Sequence, residues 1–303
     1  MGDESETTLH APQRADVSVV VVTYNALPWI ERCLESVAGH NTVVVDNGSS
    51  DGTVALVRER FPAARVLEQP NRGLAAGWNR GIDATSGPYV LILNADAWAA
   101  GDAVSALCGF ADAHPRAAVI GPRLRYPDGR LQPSVRGFPT PWRIASEYLF
   151  LRKLAPRTRA FNAFYAAGFD HATATRADFV MGACMLVRRE AIAEVGRLDE
   201  DFFLFSEETD WCYRFVRAGW EVWFTPDAEF VHVAGATHGS RMFKENARGH
   251  LRFLAKHRGL GAAERARRTM LVGCLLRVPR DRQFADVARW LASGKVPELL
   301  SSP

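Results

Sequence analysis

Apolar and polar positions alternate on a regular scale over the first 122 residues. The runs "VSVVVVTYN" (17–25) and "TVVVD" (42–46) are continuous and β-branched, as in strands that are buried on both faces. The same pattern predicts three more strands: 64–69, 89–96 and 117–122. The segments between them predict helices: one beginning near Pro28, one over 53–61, one over 73–87, and one from the capping residue Asp102 to about His114. This uninterrupted alternation predicts an α/β fold with a doubly wound, mostly parallel sheet.

After residue 122 the spacing changes. A hairpin is predicted around Asp128–Gly129, and the irregular, aromatic and basic residues 142–175 are expected to form a mobile loop. The elements predicted next are a strand and helix (177–196), a helix ending near Gly219, two short strands (221–225 and 228–233) and amphipathic helices from Ser240. We therefore predict a disordered tail (1–15), a domain (16–238) with halves at 16–122 and 123–238, and a helical extension (239–303).

The composition is that of a soluble globular protein. Hydrophobic residues make up 48% and charged residues 23%, and the net charge of +3 gives no sign of a nucleic-acid partner. The five cysteines form no C-x-x-C pair and have apolar neighbours, which predicts buried free thiols in a reducing cytoplasm. The first residues are polar and do not resemble a secretory signal, and no apolar run reaches the ~20 residues of a membrane span.

Polar clusters follow three of the predicted strands. They are Thr23–Asn25, Asp46–Gly52 and Asn94–Asp96. Each cluster alone is equally well explained as a turn, because Asn, Asp, Ser and Gly are turn residues. The carboxyl ends of parallel strands meet at one edge of a sheet, however, and ligands bind there. Three clusters at that edge therefore predict a ligand crevice, with Asp96 either a metal ligand or the polar end of an ordinary strand.

A fourth cluster, "FSEETDWCYR", is predicted to lie on a helix. Glu207, Asp210 and Arg214 share one helical face, and for Asp210 and Arg214 an ion pair is the preferred interpretation. Glu208 points towards Trp211 and has no cation partner on its own helix. A carboxylate in such surroundings is expected to have a raised pKa and is a candidate general base. His232 lies in an apolar strand, where a lone histidine is more often structural.

Six segments, in this order, resemble glycosyltransferase family 2: "VVVVTYN", "VVDNGSSDGT", "NRGLAAGWNRGI", "LILNAD", "VMGACMLVRREAIAEVGRLDEDFFLFSEETDWCYR" and "VHVAGAT". The resemblance covers about Val17 to Thr237 and is strongest to the bacterial rhamnosyltransferase-like branch. It implies a GT-A fold, with a nucleotide-sugar half (16–122) followed by an acceptor half (123–238). It also implies an inverting transfer from a nucleotide sugar, assisted by Mg²⁺ or Mn²⁺.

The resemblance also implies roles for individual residues. The residues expected to bind the nucleotide sugar are Thr23, Tyr24 and Asn25 (base and ribose), Asp46 (pyrimidine ring), Asn71, Arg72 and Gly73 (a loop closing over the nucleotide), Asn79 and Arg80 (the following helix), and Asn94, Ala95 and Asp96 (the D-x-D positions). Asp96 and His232 are the implied metal ligands. Glu207 and Glu208 take the positions of the family's acidic pair, of which the second is the catalytic base, and Asp210 is the next candidate.

The sequence departs from the family pattern at two positions. Asn94 stands where the first acid of the D-x-D motif is expected, which removes one negative charge near the metal. Glu208 stands where Asp is usual, so its carboxylate is displaced by about one methylene group.

Several alternatives are weighed against this interpretation. A sugar-nucleotide pyrophosphorylase would carry a Gly-rich loop with Arg and Lys after the first strand, and a dehydrogenase would carry G-x-G-x-x-G there; neither is present. A catalytically inactive relative that binds nucleotide sugars stays open because of Asn94. The donor is expected to be dTDP-L-rhamnose, with UDP-hexoses next. The acceptor is expected to be a hydroxyl of a glycan or a polyprenyl-linked molecule.

The C-terminal extension is strongly basic. Between Arg248 and Arg282 there are many Arg and Lys residues and few acids. This pattern is typical of a solvated helix face, and it also suits peripheral contact with anionic lipid at the inner face of the cell membrane.

Overall fold

The computed structural model describes residues 17–154, 158–162, 164, 169–233 and 240–301. Within this part of the chain the strands are β1 Val17–Thr23, β2 Asn41–Asp46, β3 Arg65–Glu68, β4 Tyr89–Asn94, β5 Ala97–Ala99, β6 Ala117–Arg125, β7 Leu131–Gln132, β8 Val135–Arg136, β9 Thr175–Arg176, β10 Phe179–Val180, β11 Cys184–Arg188 and β12 Glu221–His232.

The helices are α1 Ile30–Ser36, α2 Thr53–Arg60, α3 Leu74–Asp83, α4 Ala103–Ala113, α5 Pro141–Tyr148, α6 Arg159–Asn162, α7 Arg189–Val195, α8 Glu207–Arg217, α9 Ser240–Arg258, α10 Leu260–Arg277, α11 Gln283–Ala292 and α12 Val296–Ser301. A 3₁₀ turn, Leu151–Lys153, follows α5.

The central sheet has the strand order β3-β2-β1-β4-β11-β6-β12-β5. The first four strands are parallel, as the alternation of strands and helices predicts. β11 runs antiparallel to both β4 and β6, whereas β12 is parallel to β6 and antiparallel to β5. The sheet is therefore mixed but mostly parallel, and helices cover both faces.

The apolar runs are buried on both faces of the sheet. All seven residues of β1 are buried. Val20 and Val22 belong to one core cluster, with Trp78 of α3, and Val19 belongs to another, with Ile30 of α1. Continuous β-branched runs form these strands because neither face meets water.

Three sequence predictions need correction. Residues 142–148 of the expected loop belong to α5, because Thr140 caps the helix by accepting a hydrogen bond from the Arg143 amide and Pro141 follows at the first helical position. Glu221 to His232 form one strand instead of two, with an irregularity between Thr225 and Glu229 where two strands were predicted to separate. Asp102 precedes α4, but its carboxylate accepts the Ser105 hydroxyl and caps no backbone amide.

Other predictions are confirmed. All five cysteines are free and buried. The hairpin at Asp128–Gly129 is present, closed by the Tyr126 amide on the Arg130 carbonyl. No helix in the described residues has the length and apolar character needed to cross a bilayer. The predicted tail 1–15 lies outside the described residues, as does the 234–239 junction.

Helix α3 packs against β1 through glycines. A Cβ at Gly77 would lie 2.7 Å from Cγ1 of Val22, and a Cβ at Gly81 would overlap Cγ1 of Val20. The glycines that weaken helical propensity here are therefore required for the close approach of the helix to the sheet.

We expect Gly81→Ala to lower the free energy of unfolding by about 1–3 kcal/mol, because the new methyl group overpacks this contact. Gly109→Ala in α4 is the matched control: its Cβ would meet nothing within 4 Å, so it should raise stability by up to about 1 kcal/mol. Urea unfolding measures both. Equal stability of the two variants would contradict the close packing of α3 on β1.

Candidate active site

Two turns at the carboxyl ends of β1 and β2 are tied together. The buried carboxylate of Asp46 accepts the amides of Gly48 and Ser49, each at 2.9 Å, and the Ser49 hydroxyl. Asn25 has a left-handed backbone, with φ of 51°, and its side-chain oxygen accepts the Ser50 amide at 2.8 Å. The short polar side chains that sequence analysis flagged thus build the rim of the crevice.

Thr23 and Tyr24 present side-chain groups at this rim that are available to a ligand. The Thr23 hydroxyl is buried and has no hydrogen-bond partner within the described residues. The Tyr24 side chain is 55% exposed. An exposed aromatic ring beside an unsatisfied buried hydroxyl is an arrangement that suits a nucleobase and ribose.

The loop 71–73 joins the two halves of the molecule. Asn71 accepts the Gly73 amide through its side-chain oxygen, and Gly73 has φ of +95°. A side chain at Gly73 would overlap the main chain of Phe203, whose carbonyl accepts the Leu74 amide at 2.8 Å. The nucleotide half and the acceptor half therefore meet directly at this loop.

The other predicted binding residues in and after this loop are Arg72, Asn79 and Arg80. Their side chains differ in how accessible they are to a ligand. The Arg72 side chain is 70% exposed and reaches Glu200 at 3.4 Å. Asn79 is buried, and its amide donates to the Leu198 carbonyl at 2.9 Å and to Glu200 at 3.0 Å. Arg80 donates to the carbonyl of Glu68 at 2.8 Å. Arg72 is accessible to a ligand, whereas Asn79 has both amide hydrogens in use, and its geometry indicates a structural role.

The end of β4 brings Asp96 to His232. Ala95 is buried, and the Asn94 amide donates to the Ala183 carbonyl at 3.0 Å. β5 follows at once and pairs with β12 in a register that sets His232 opposite Ala97. His232 Nε2 consequently lies 3.4 Å from Asp96 Oδ1.

The orientation of the His232 ring is fixed from its other side. Nδ1 lies 3.0 Å from the side-chain oxygen of Gln132 on β7. With Nδ1 paired to Gln132, Nε2 is the ring nitrogen that faces Asp96. A histidine held in this way is arranged as metal ligands usually are. In the part of the chain that the structure describes, no third His, Cys, Asp or Glu completes a metal cluster.

The backbone is strained where α8 begins. Phe205 and Ser206 both have positive φ, at 68° and 70°. Gly249 of α9 approaches so closely that a Cβ there would lie 2.5 Å from the Phe205 carbonyl oxygen. Such conformations persist only where the surrounding structure imposes them, and they are concentrated at functional sites.

The strained turn places two carboxyl groups in a buried environment. Glu208 is half-buried and Glu207 is 3% exposed, and in each one carboxyl oxygen is buried without a hydrogen-bond partner. Burial raises the pKa of Glu208 to about 7, although backbone amides at the helix start and the charge of Arg136 oppose the shift. Burial, and then the charge of Glu208, raises the pKa of Glu207 well above its usual range. Glu208 is therefore the member of the pair that is poised to exchange a proton near neutral pH.

Gly182 connects Glu208 to the end of β4. A Cβ at Gly182 would lie 3.6 Å from Glu208 Cβ, and the next residue, Ala183, accepts the Asn94 amide. Gly182 and Ala183 thus link Glu208 to Asn94, which is far from it in sequence. The glycine between the apolar runs of "VMGAC" was an available signal of close backbone approach.

Sequence analysis missed Arg136 and Gln132. Arg136 lies on the two-residue strand β8, and its positive charge acts on Glu208. Gln132 lies on the equally short β7 and orients His232. Strands of two residues carry no periodic signal, so neither residue stood out from its neighbours.

Asp210, the next candidate base, is engaged by three neighbouring side chains. Its carboxylate is fully buried and accepts Arg214 Nε at 2.8 Å, Lys256 Nζ at 2.8 Å and His257 Nε2 at 2.7 Å. Burial alone would raise the pKa of Asp210, but hydrogen bonds from His257 and Lys256 together with the Arg214 charge lower it to about 2. The predicted Asp210–Arg214 ion pair is confirmed. We refer to Asp210, Arg214, Lys256 and His257 as the α8–α9 clasp.

We expect Asp210→Asn to lower the free energy of unfolding by about 3–5 kcal/mol, because it leaves buried cations without their anion. The native pKa lies below the usual value of about 3.9, so the carboxylate contributes fully above about pH 4 and loses its contribution as pH falls towards 2. Urea unfolding at pH 7 and pH 3 measures the difference.

Asp286→Asn is the control for the clasp, since it removes the same charge from an exposed pair with Arg289. Its effect should stay below about 1 kcal/mol. A loss of similar size in both variants would show that the clasp has no special role.

Comparisons with known proteins agree with this geometry. The family model of glycosyl transferase family 2 matches residues 18–196. The N-acetylglucosaminyl-diphospho-decaprenol L-rhamnosyltransferase of Mycobacterium tuberculosis is 33% identical over 232 residues, which covers 71% of this chain and 75% of the relative. The pre-mycofactocin glycosyltransferase of the same species is 28% identical over 227 residues, covering 73% of this chain and 43% of the relative.

Two solved structures share the fold. The mannosyltransferase PcManGT from Pyrobaculum calidifontis, in complex with GDP-Man and Mn²⁺, aligns with a TM-score of 0.56 at 21% identity, over 96% of this chain and 79% of that one. GalNAc-T7 with UDP, GalNAc and Mn²⁺ aligns with a TM-score of 0.58 at 14% identity, over 96% and 58%.

The fold and the site define a glycosyltransferase with the GT-A fold. The chain belongs to glycosyl transferase family 2, and its relatives include a rhamnosyltransferase. The predicted family, fold and enzyme class are thereby confirmed, and the reading as an inactive relative is set aside.

Proposed function

We propose that the protein transfers L-rhamnose from dTDP-L-rhamnose, with inversion, to a hydroxyl group of a polyprenyl-diphosphate-linked glycan. The observation that carries the proposal is Glu208: a half-buried carboxyl group with a pKa of about 7, linked to the end of β4 through Gly182 and Ala183. The name of the mycobacterial relative, which specifies a diphospho-decaprenol acceptor and L-rhamnose, supports the choice of donor and acceptor.

The donor occupies the crevice at the ends of β1, β2 and β4. In this proposal the base and ribose lie against Thr23, Tyr24, Asn25 and Asp46, and the loop 71–73 closes over them. The exposed Arg72 side chain supplies a positive charge for the diphosphate. Asn94, Ala95 and Asp96 form the floor beneath the phosphates.

The residues at the end of β4 fit a divalent cation, Mg²⁺ or Mn²⁺. Asp96 offers a carboxylate that is one-fifth exposed, and His232 offers Nε2 beside it. These two side chains would hold the ion, with Asn94 as a neutral neighbour in place of a second acid. When bound, the cation stabilises the negative charge of the departing nucleoside diphosphate.

The chemical step is a single displacement. The acceptor hydroxyl gives its proton to Glu208 as its oxygen attacks the anomeric carbon, and the bond from that carbon to the diphosphate breaks on the opposite face. Burial and the charge of Glu208 raise the pKa of Glu207 well above its usual range, which disfavours Glu207 as a second, nucleophilic carboxylate. One ionisable carboxylate favours inversion over retention.

We expect Glu208→Gln to reduce transfer by about 10²-fold or more while donor binding is kept. Since the base must be ionised, the rate in the wild type should rise with pH through about 7, and this rise should vanish in the variant. Glu207→Gln leaves the carboxyl group of Glu208 in place, so it should keep the rise even if it alters stability or donor affinity. Transfer by Glu208→Gln at the normal rate would place the base elsewhere.

We expect Asp96→Ala to abolish Mn²⁺-dependent binding of dTDP, measured by calorimetry with and without the metal. Imidazole ligation favours Mn²⁺ over Mg²⁺, so Mn²⁺ should bind the wild type at least as tightly. Asp128→Ala, in the exposed β6–β7 hairpin, is the control and should bind as the wild type does. Unchanged Mn²⁺ affinity in Asp96→Ala would refute the metal assignment.

The donor sugar is tested by hydrolysis of a nucleotide-sugar panel. Release of nucleoside diphosphate from dTDP-L-rhamnose in preference to UDP-hexoses supports the proposal. Preference for a UDP-hexose would keep the chemistry and replace the donor. With a nucleotide-sugar donor and a lipid-linked acceptor, we propose that the enzyme works in the cytoplasm, at the inner face of the cell membrane.

A further inference from the structure

Helix α10 exposes aliphatic side chains on its outer surface. Its inner side is lined by small residues and one methionine, among them Ala263, Ala266 and Met270, all fully buried. On the outer side Val272, Leu275 and Leu276 are 50%, 56% and 52% exposed. The spacing i, i+3, i+4 places these three on neighbouring turns of one face. The outer face of a helix in a soluble domain is normally polar, so we expect this apolar face to contact a partner.

The segment that packs against α10 also exposes apolar side chains. Helix α10 crosses the end of α5 so closely that a Cβ at Gly273 would lie 2.6 Å from the Tyr148 carbonyl oxygen. In the sequence around this crossing, Leu154 is 77% exposed and Trp142 on α5 is 51% exposed.

Arginines surround this apolar group. Arg265 and Arg268 precede it on the same helix and Arg280 follows it, and all three are exposed. Arg265 and Arg280 form no ion pair within the described residues, and Arg268 lies 3.4 Å from Glu264, which is bound more closely by Arg267 at 2.6 Å. We define the α10 surface as Val272, Leu275 and Leu276 with Arg265, Arg268 and Arg280.

We propose that the α10 surface docks the protein on an anionic lipid bilayer. Aliphatic side chains enter the interface, and the arginines contact lipid phosphates. A second copy of this chain is a poorer partner, because a symmetric contact would bring two sets of the same arginines together. The purpose of the docking rests on the proposed lipid-linked acceptor: α5 follows β8, and the charge of Arg136 on β8 acts on the proposed base Glu208.

The test is co-sedimentation of the full-length protein with vesicles of 30% phosphatidylglycerol in phosphatidylcholine, against vesicles of phosphatidylcholine alone. We expect binding to the anionic vesicles that weakens as salt is added. The triple variant V272Q/L275Q/L276Q should bind them at least tenfold more weakly. R265Q/R268Q should lose about fivefold per arginine, roughly 25-fold in total, on anionic vesicles alone.

Matched controls separate this surface from general charge and hydrophobicity. R58Q/R60Q removes two exposed arginines from α2, and Val216→Gln removes a partly exposed aliphatic residue from α8. Both should bind vesicles as the wild type does. Circular dichroism and donor hydrolysis should be unchanged in the α10 variants, which shows that they fold.

Each outcome decides the proposal. It is overturned if the wild type stays in the supernatant at low salt, or if the controls lose binding as much as the α10 variants. It is also overturned if the triple variant turns a dimer into a monomer without changing vesicle binding. Donor hydrolysis in the same samples separates the two proposals. Hydrolysis without vesicle binding refutes the docking alone, and vesicle binding without hydrolysis of any donor refutes the proposed function alone.

Discussion

Two adjacent carboxyl groups are held largely out of water at the first turn of α8, and the rest of the site depends on that constraint. A buried carboxyl oxygen without a hydrogen-bond partner is costly, and each of the two groups has one; the turn before them has two left-handed residues. The compensation lies one turn further along, where Asp210 is bound by three side chains. The clasp and the close contact at Gly249 hold a conformation that the local sequence would not adopt alone.

The parallel and the antiparallel strands of the mixed sheet contribute different residues to the site. Its parallel strands deliver the groups at residues 23–25, 46–52 and 94–96 to one edge. Its antiparallel pairings bring in side chains from the second half of the chain: β12 returns along β5 to set His232 beside Asp96, and β11 pairs with β4 so that Gly182 and Ala183 link Glu208 to Asn94. A sheet that was parallel throughout would leave the base and His232 without a route to the nucleotide edge.

The sequence predicted what is encoded locally. The buried strands, the turns after them and the raised pKa of Glu208 follow from β-branched runs, turn residues and a carboxylate without a cation partner on its helix. Contacts with distant partners could not be predicted. Lys256 and His257, which bind Asp210, lie more than 40 residues away from it in sequence. Leu198, which binds Asn79, comes from the other half of the chain. Arg136 was missed because a two-residue strand has no period.

Helix α9, like α8, lies beyond the 18–196 segment that the family model matches, and its Lys256, His257 and Gly249 contact α8 or the turn before it. The C-terminal helices therefore belong to the same structural unit as α8, and we expect the two to be inherited together. An exchange of these helices between relatives would transplant a function only if the acid at 210, its two distant partners and the glycine at 249 travelled as one set. Sequence divergence in α9 is in this way limited by the contacts that α9 makes with α8.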